Sequence, residues 1–138
     1  MAVDAGGVPL ATTLTGANTH DVTQLVPLVE AIPPIKGVPG APLHKPQSVM
    51  GDRGYDSNPH RQKLSGKGIK TEIARRRTQH GSGLGVFRYV VEQSIALLHQ
   101  FRRLKMRFDK RDDIHETFMV IGEAIICWRR LHGSTAYF

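Results

Sequence analysis

Two carboxylates stand in places where they could do chemistry. Asp52 follows the short apolar approach Gln47-Ser48-Val49-Met50 and opens the turn Asp52-Arg53-Gly54-Tyr55-Asp56-Ser57. Ligands of α/β sheets bind beyond the carboxyl ends of strands, and a carboxylate there offers hard oxygens to a cation such as Mg2+. Gly54 allows the backbone to turn sharply. The plainer reading is that Asp52 or Asp56 fastens this turn through its side chain. Glu92 lies between Val91 and Ile95 in the strongest apolar pattern of the chain. Arg88, Ala96, His99 and Arg103 follow its helical stripe. A carboxylate bordered by basic groups suits a metal ligand that also meets phosphate. The plainer reading is a solvent-side glutamate paired with Arg88, worth only about 0.3–0.5 kcal/mol.

Basic residues cluster nearby. Arg75-Arg76-Arg77 follows an apolar stretch, and Arg102-Arg103-Leu104-Lys105-Met106-Arg107 closes the long amphipathic run. The formal net charge is +7, with residues 1–50 at −1 and residues 51–138 at +8. A field of this sign favours a phosphate-backbone partner, with such groups positioning the nucleic acid and carrying no base code. Basic residues at a helix end also complement the helix dipole. Other chemistries lack their motifs. Five of the seven histidines (His20, His60, His80, His99, His115) show no zinc spacing on one helix, and there is no phosphate loop or dinucleotide fingerprint at a strand–helix joint. Gly81-Ser82-Gly83-Leu84-Gly85 reads as a flexible loop. The single cysteine, Cys127, excludes an intrachain disulfide and a multi-cysteine zinc site.

The elements that must position these groups follow from periodicity and punctuation. Ala2-Val3-Asp4, a turn at Gly6-Gly7 and the run 8–15 predict a hairpin, with Pro9 at the strand start. Val22, Leu25, Val26, Leu28, Val29 and Ile32 predict a helix over 21–32, capped by Thr19 or Asp21 and ended by Pro33-Pro34. Residues 33–46 hold five of the eight prolines and read as a loop. A strand is predicted near 47–51, then a helix over 59–66 capped by Ser57 or Asn58, with Pro59 at its start. Ile69 to Ala74 is a second strand, and 79–85 a loop. Spacings of three and four predict a helix over 86–105. Asp113, with Glu116 three residues on, resembles a capping box for a last helix over 114–131. Gly122 inside that helix should cost about 1 kcal/mol relative to alanine, and close helix packing would explain it. The order β-β-α-β-α-β-α-α predicts an α/β mixed sheet flanked by helices.

The chain has 138 residues, enough for one domain with a real core. Apolar residues make up 40% and charged residues 22%, which argues against disorder. The longest apolar run, Phe118 to Ile126, is broken by Gly122 and Glu123, so no membrane span is expected. The first residues carry no basic-then-apolar signal, and a cytoplasmic product is the expectation.

These residues carry a family resemblance. Val3-Asp4-Ala5-Gly6-Gly7-Val8-Pro9-Leu10 and Leu14-Thr15-Gly16-Ala17-Asn18-Thr19-His20-Asp21 resemble the strand pair and helix start of bacterial insertion-sequence transposases of the DDE class, in the broad IS4/IS5-like group. Gly51 to Ser57 resembles that family's segment around its second catalytic aspartate. Phe87-Arg88-Tyr89-Val90-Val91-Glu92, running on to Leu104, resembles the helix of the catalytic glutamate, and 114–131 resembles the usual tail. The resemblance implies an RNase H-like fold whose first strand is missing, so that residues 1–138 form an N-terminally truncated DDE catalytic domain. It implies Mg2+ (or Mn2+) as cofactor, with Asp52 and Glu92 as catalytic residues and metal ligands. It implies strand cleavage and transfer on double-stranded DNA of the element's ends, contacted by Arg75, Arg76, Arg77, Arg88, His99, Arg102 and Arg103. The family's first aspartate lies before the hairpin, and Asp4 does not match it. The chain is therefore expected to be inactive alone and completed by a full-length transposase or an upstream-frame product. The stricter signature has a basic residue where His99 stands and an aromatic where Gly85 stands. The alternative is a non-catalytic basic DNA-binding or accessory remnant.

Overall fold

Asp4-Ala5-Gly6-Gly7 makes its turn with its own side chain. In the computed structural model, which describes residues 1–16, 18–35, 40–77 and 85–133, Asp4 Oδ1 accepts the N–H groups of Gly6 and Val8 at 2.9 and 2.8 Å. Gly7 takes φ +78°, a conformation that favours glycine. The turn joins β1 (Ala2–Val3) to β2 (Pro9–Ala11) in an antiparallel pair with a bulge between Ala2 and Val3. Pro9 opens its strand as expected, but β2 stops well short of Thr15. The chain divides into two compact units, Met1–Leu14 with Tyr89–Phe138 and Thr15–Arg88.

In the 15–88 unit the helix predicted over 21–32 forms differently. A 3₁₀ turn spans Asp21–Gln24, and α1 (Leu25–Glu30) begins only after it. Pro27 is the reason: an α-helix running through from residue 21 would need an N–H at 27 for the carbonyl of Thr23, which proline lacks. Starting at Leu25 puts Pro27 in the first turn, where proline is tolerated. Neither Thr19 nor Asp21 caps. The cap position is His20, whose carbonyl accepts the Thr23 hydroxyl at 2.7 Å. Within the proline-rich loop, Ile35 and Leu43 form an isolated antiparallel bridge.

β3 (Ser48–Gly51) pairs in parallel with β4 (Lys70–Ile73), register Ser48↔Lys70 to Gly51↔Ile73. The crossover between them is α2 (Asn58–Gly66), which ends at Gly66 and turns out through Gly68 at φ +73°. Ser57 holds the cap position, yet its hydroxyl pairs with His60 Nδ1 at 2.8 Å instead of a backbone N–H. Leu25, Val29, Leu64, Ile69 and Ile73 make the core, with Val26, Val49 and Tyr55 packed against it. The loop expected over 79–85 lies mostly outside the described residues.

In the other unit the helix predicted over 86–105 is interrupted. α3 runs Gly85–Leu98, and α4 (Arg102–Lys105) restarts after a bend whose last residue, Phe101, is extended at ψ 117°. α5 spans Asp112–Leu131. The bend lets Leu98, Phe101 and Leu104 close around Gly122 of α5, where a Cβ would stand 3.0 Å from both leucine side chains. Tertiary contact thus overrides a continuous helical period. The Asp113–Glu116 capping box does not form. Arg111 holds the cap position, and Asp113 sits within the first turn, its carboxylate paired with Arg111. On α5, Gly122 and Ile126 are buried, whereas Ile121 and Trp128 are 50% and 63% exposed.

Gly122 gives a direct check of this packing. Gly122→Ala is expected to change stability little, since about 1 kcal/mol of helix propensity offsets a small shift of flexible leucine ends. Gly122→Val is expected to destabilise by about 2–3 kcal/mol through overpacking. Urea unfolding of the two variants checks this, and equal midpoints would contradict the contact.

The fold is thus mixed α/β, with small parallel and antiparallel sheets flanked by helices, consistent with an RNase H-like architecture. Among the described residues the strands form two separate two-stranded sheets.

Candidate active site

Asp52 sits one residue beyond β3, at the carboxyl end of the strand, and caps the 3₁₀ turn Arg53–Tyr55. Its Oδ1 accepts the Gly54 N–H at 2.8 Å. The side chain is exposed and held in one orientation by its own turn. The plainer reading of the sequence is realised: the carboxylate fastens the turn, and it also faces solvent. A Cβ at Gly54 would lie 2.9 Å from Asp52 Oδ1, so a side chain there would push the carboxylate aside.

The turn is fastened to the end of β4. Arg76 donates from Nε to the Arg53 carbonyl at 3.0 Å and from Nη2 to the Gly54 carbonyl at 2.9 Å. Its backbone N–H goes to Asp56 Oδ2 at 2.8 Å. Asp56 Oδ1 receives Arg61 through Nε and Nη2 at 3.1 and 2.8 Å, and Arg61 Nη2 also reaches the Ile73 carbonyl at 2.6 Å. The Arg76 N–H and the Arg61 guanidinium hold the Asp56 carboxyl below its ordinary pKa.

Asp56 and Arg61 are 14% and 15% exposed, so this pair is little screened. Asp56→Asn is expected to cost about 1–2 kcal/mol at neutral pH, the scale of charge-assisted hydrogen bonds. Because the folded pKa lies below the unfolded one, the stabilisation is complete above about pH 4 and lost as pH falls through the folded value. Melting temperatures of wild type and variant should therefore converge in acid. A gap that fails to narrow as the pH falls below about 4 would contradict it.

Tyr55 is half-buried against the same turn. Burial first, and then the charges of Asp21 and Asp52, raise its pKa, so it remains a neutral O–H donor at physiological pH. Asp21 thus belongs to the surroundings of Asp52. Sequence reasoning took it only as a capping residue. The available signal was the His20-Asp21 pair at the start of the helix.

Glu92 lies on α3, exposed, in the other unit. His99 follows the last turn of α3 and borders a cavity of about 250 Å³ shared with Thr12, Thr13 and His115. Facing Gly7, Ser94 is fully buried, its hydroxyl donating to the Gly7 carbonyl at 2.8 Å. No motif in the sequence marked it. Asp52, Arg75, Arg76 and Arg77 belong to the 15–88 unit, and Glu92, His99, Arg102 and Arg103 to the other. Arg88 lies on α3, with its side chain outside the described residues. Arg75 donates to Asn58 Oδ1 at 3.3 Å. Arg77 takes φ +62° and is exposed. Arg103 pairs with Asp109 at 3.3 Å and lies 4.9 Å over the Phe118 ring. Arg102 is exposed on α4. Among the described residues, no group of three or more His, Cys, Asp or Glu gathers to hold a metal ion. No helix among them is long and apolar enough to cross a membrane.

Comparison with known proteins gives the class to which this α/β chain belongs. The family model described as the transposase DDE domain matches residues 1–127, and the chain belongs to that family. It is 56% identical over 134 residues to the putative transposase for insertion sequence element IS402 of Burkholderia cepacia. It is 33% identical over 107 residues to the transposase for insertion sequence element IS1106 of Neisseria meningitidis serogroup B. These alignments cover 97% and 70% of this chain, but only 64% and 33% of those proteins. No solved structure gives a significant match.

Proposed function

We propose that these residues form the part of a transposase catalytic domain that supplies two acids, Asp52 and Glu92, to phosphodiester cleavage and strand transfer on DNA. The observation that carries the reading is Asp52: an exposed carboxylate at the end of a parallel strand, oriented by the Gly54 N–H at 2.8 Å, within a family match over residues 1–127. Its donors are hard oxygens, as are those of Glu92, and both suit Mg2+ or Mn2+. A divalent ion bound there would activate the attacking oxygen and stabilise the leaving one. Asp52 and Glu92 would each supply a carboxylate to divalent metal, and the basic residues would hold the DNA backbone.

Asp4 does not match the position of the family's first acid, and its Oδ1 serves the hairpin turn. The reading therefore takes the remaining acid from outside this chain, from a full-length transposase or an upstream-frame product. Arg75, Arg77, Arg88, His99, Arg102 and Arg103 are the proposed contacts to double-stranded DNA of the element's ends, whereas the Arg76 guanidinium is spent on the Arg53 and Gly54 carbonyls. A DNA partner implies the cytoplasm. The excess positive charge of residues 51–138 also favours a second reading, a basic DNA-binding remnant without turnover.

The experiment is a nicking and strand-transfer assay on DNA carrying the element's ends, with Mg2+ or with chelator, using this chain alone and mixed with the full-length counterpart. Mg2+-dependent products that need the carboxylates at 52 and 92 support the enzyme. Binding that falls steeply with salt, with no contribution from either acid to turnover in the mixture, supports the remnant and overturns the catalytic reading.

A further inference from the structure

We infer that Arg76 is a positioning residue for Asp52, rather than primarily a contact to DNA. This rests on the reading of Asp52 as a metal-holding acid. Three bonds carry it. The Arg76 guanidinium takes the carbonyls of Arg53 and Gly54, and its backbone N–H takes Asp56. The two carbonyls belong to the residues directly after Asp52, and Gly54 is also the residue whose N–H orients the Asp52 carboxylate. One planar fork from just beyond β4 thus fixes the Arg53–Gly54 peptide unit, whose N–H that carboxylate accepts, and the peptide unit that follows it. Asp56 is itself locked by Arg61, which is bonded in turn to the Ile73 carbonyl in β4. The turn after β3 is therefore tied across to its neighbouring strand by a closed circuit of side chains. Five backbone or carboxylate acceptors are served by two arginines.

A planar guanidinium can span two carbonyls, whereas an ammonium cannot match that spacing from one point. A group that fixes the orientation of a metal-holding carboxylate typically changes metal affinity 10- to 100-fold, about the range expected here. A DNA contact has a different signature. Loss of one phosphate contact lowers the salt slope of DNA binding by about one and leaves metal affinity alone.

The test compares the full chain with its Arg76→Gln, Arg76→Lys and Asp52→Asn variants. Free and bound Mn2+ are counted by electron paramagnetic resonance, exchange of the Gly54 amide is followed by nuclear magnetic resonance, and DNA affinity is measured across salt. Arg76→Gln is expected to weaken Mn2+ binding about 10-fold or more and to speed Gly54 exchange, with the salt slope unchanged. Arg76→Lys is expected not to restore either property. It also keeps the charge, so it serves as the second variant should Gln prevent folding. Unaltered Mn2+ affinity and Gly54 exchange in both variants, or a lower salt slope alone, would overturn the inference. Asp52→Asn separates the two levels. If it binds Mn2+ as wild type does, the reading of Asp52 fails, while faster Gly54 exchange in Arg76→Gln would still establish the clamp. If it loses Mn2+ and Arg76→Gln does not, only the positioning role falls.

Discussion

Asp52→Asn in the full-length counterpart is expected to lower strand cleavage by about three orders of magnitude, with affinity for end DNA nearly unchanged. Asparagine keeps an oxygen at the Oδ1 position, so the bond from the Gly54 N–H and the shape of the turn can survive. What disappears is the negative charge, and with it most of the attraction for a divalent cation. Glu92→Gln is expected to behave alike, because the site is exposed and the amide is isosteric. Affinity should hold because the proposed DNA contacts are the arginines and His99. The measurement is single-turnover cleavage of labelled end DNA beside a binding curve for each variant. Cleavage within tenfold of wild type for either variant would remove that residue from the active site. A parallel loss of binding would indicate damage to the fold instead.

The second large effect concerns stability. Gly7→Val is expected to cost about 4 kcal/mol or more, enough to unfold a marginal domain. Gly7 is buried at φ +78°, and a Cβ there would stand 3.2 Å from Ser94 Oγ, Val90 Cγ1 and Arg130 Nη2. A left-handed conformation penalises an L-residue by about 1–2 kcal/mol, more for a β-branched one. Displacing the turn also breaks the bond from Ser94 Oγ to the Gly7 carbonyl. The buried Gly7 carbonyl loses its donor, at about 1–3 kcal/mol, while the Ser94 hydroxyl keeps the Val90 carbonyl of its own helix at 3.1 Å. Arg130 Nη1 donates to the Gly6 carbonyl, so the helix end loses its seat as well. Gly6→Ala is the control: the site is exposed and has no positive φ, and the change should stay small. Equilibrium unfolding in urea measures both. A Gly7→Val protein within 1 kcal/mol of wild type would show that α3 and α5 do not bear on the hairpin as described.

Local chemistry made much of this protein legible from its residues. Gly6-Gly7 announced the hairpin, Pro59 and Gly66 bracketed α2, and the apolar stretch ending before Asp52 announced a strand with a carboxylate at its end. Those features depend on backbone preferences and on periods of two or 3.6, which act over a few residues. The family resemblance, too, was carried by short contiguous motifs. Gly122 was legible as a packing residue because glycine in mid-helix needs a reason.

Other features were decided by contacts between distant residues. The long helix breaks before Arg102 because Leu98, Phe101 and Leu104 must all reach Gly122, and no local propensity encodes that meeting. Arg76 reads in sequence as one of three adjacent basic residues. Only the parallel pairing of β3 with β4 sets it against the turn at 53–54 and gives its guanidinium carbonyls to bind. Ser94 looked like an unremarkable helical serine until the hairpin closed over it, and Asp56 looked like a turn residue until Arg61 and Arg76 converged on it. The sequence by itself determined where the chain turns and which carboxylate ends a strand. Tertiary structure alone decided which charges are spent on holding backbone, because a hydrogen bond depends on distance in space and not on separation along the chain.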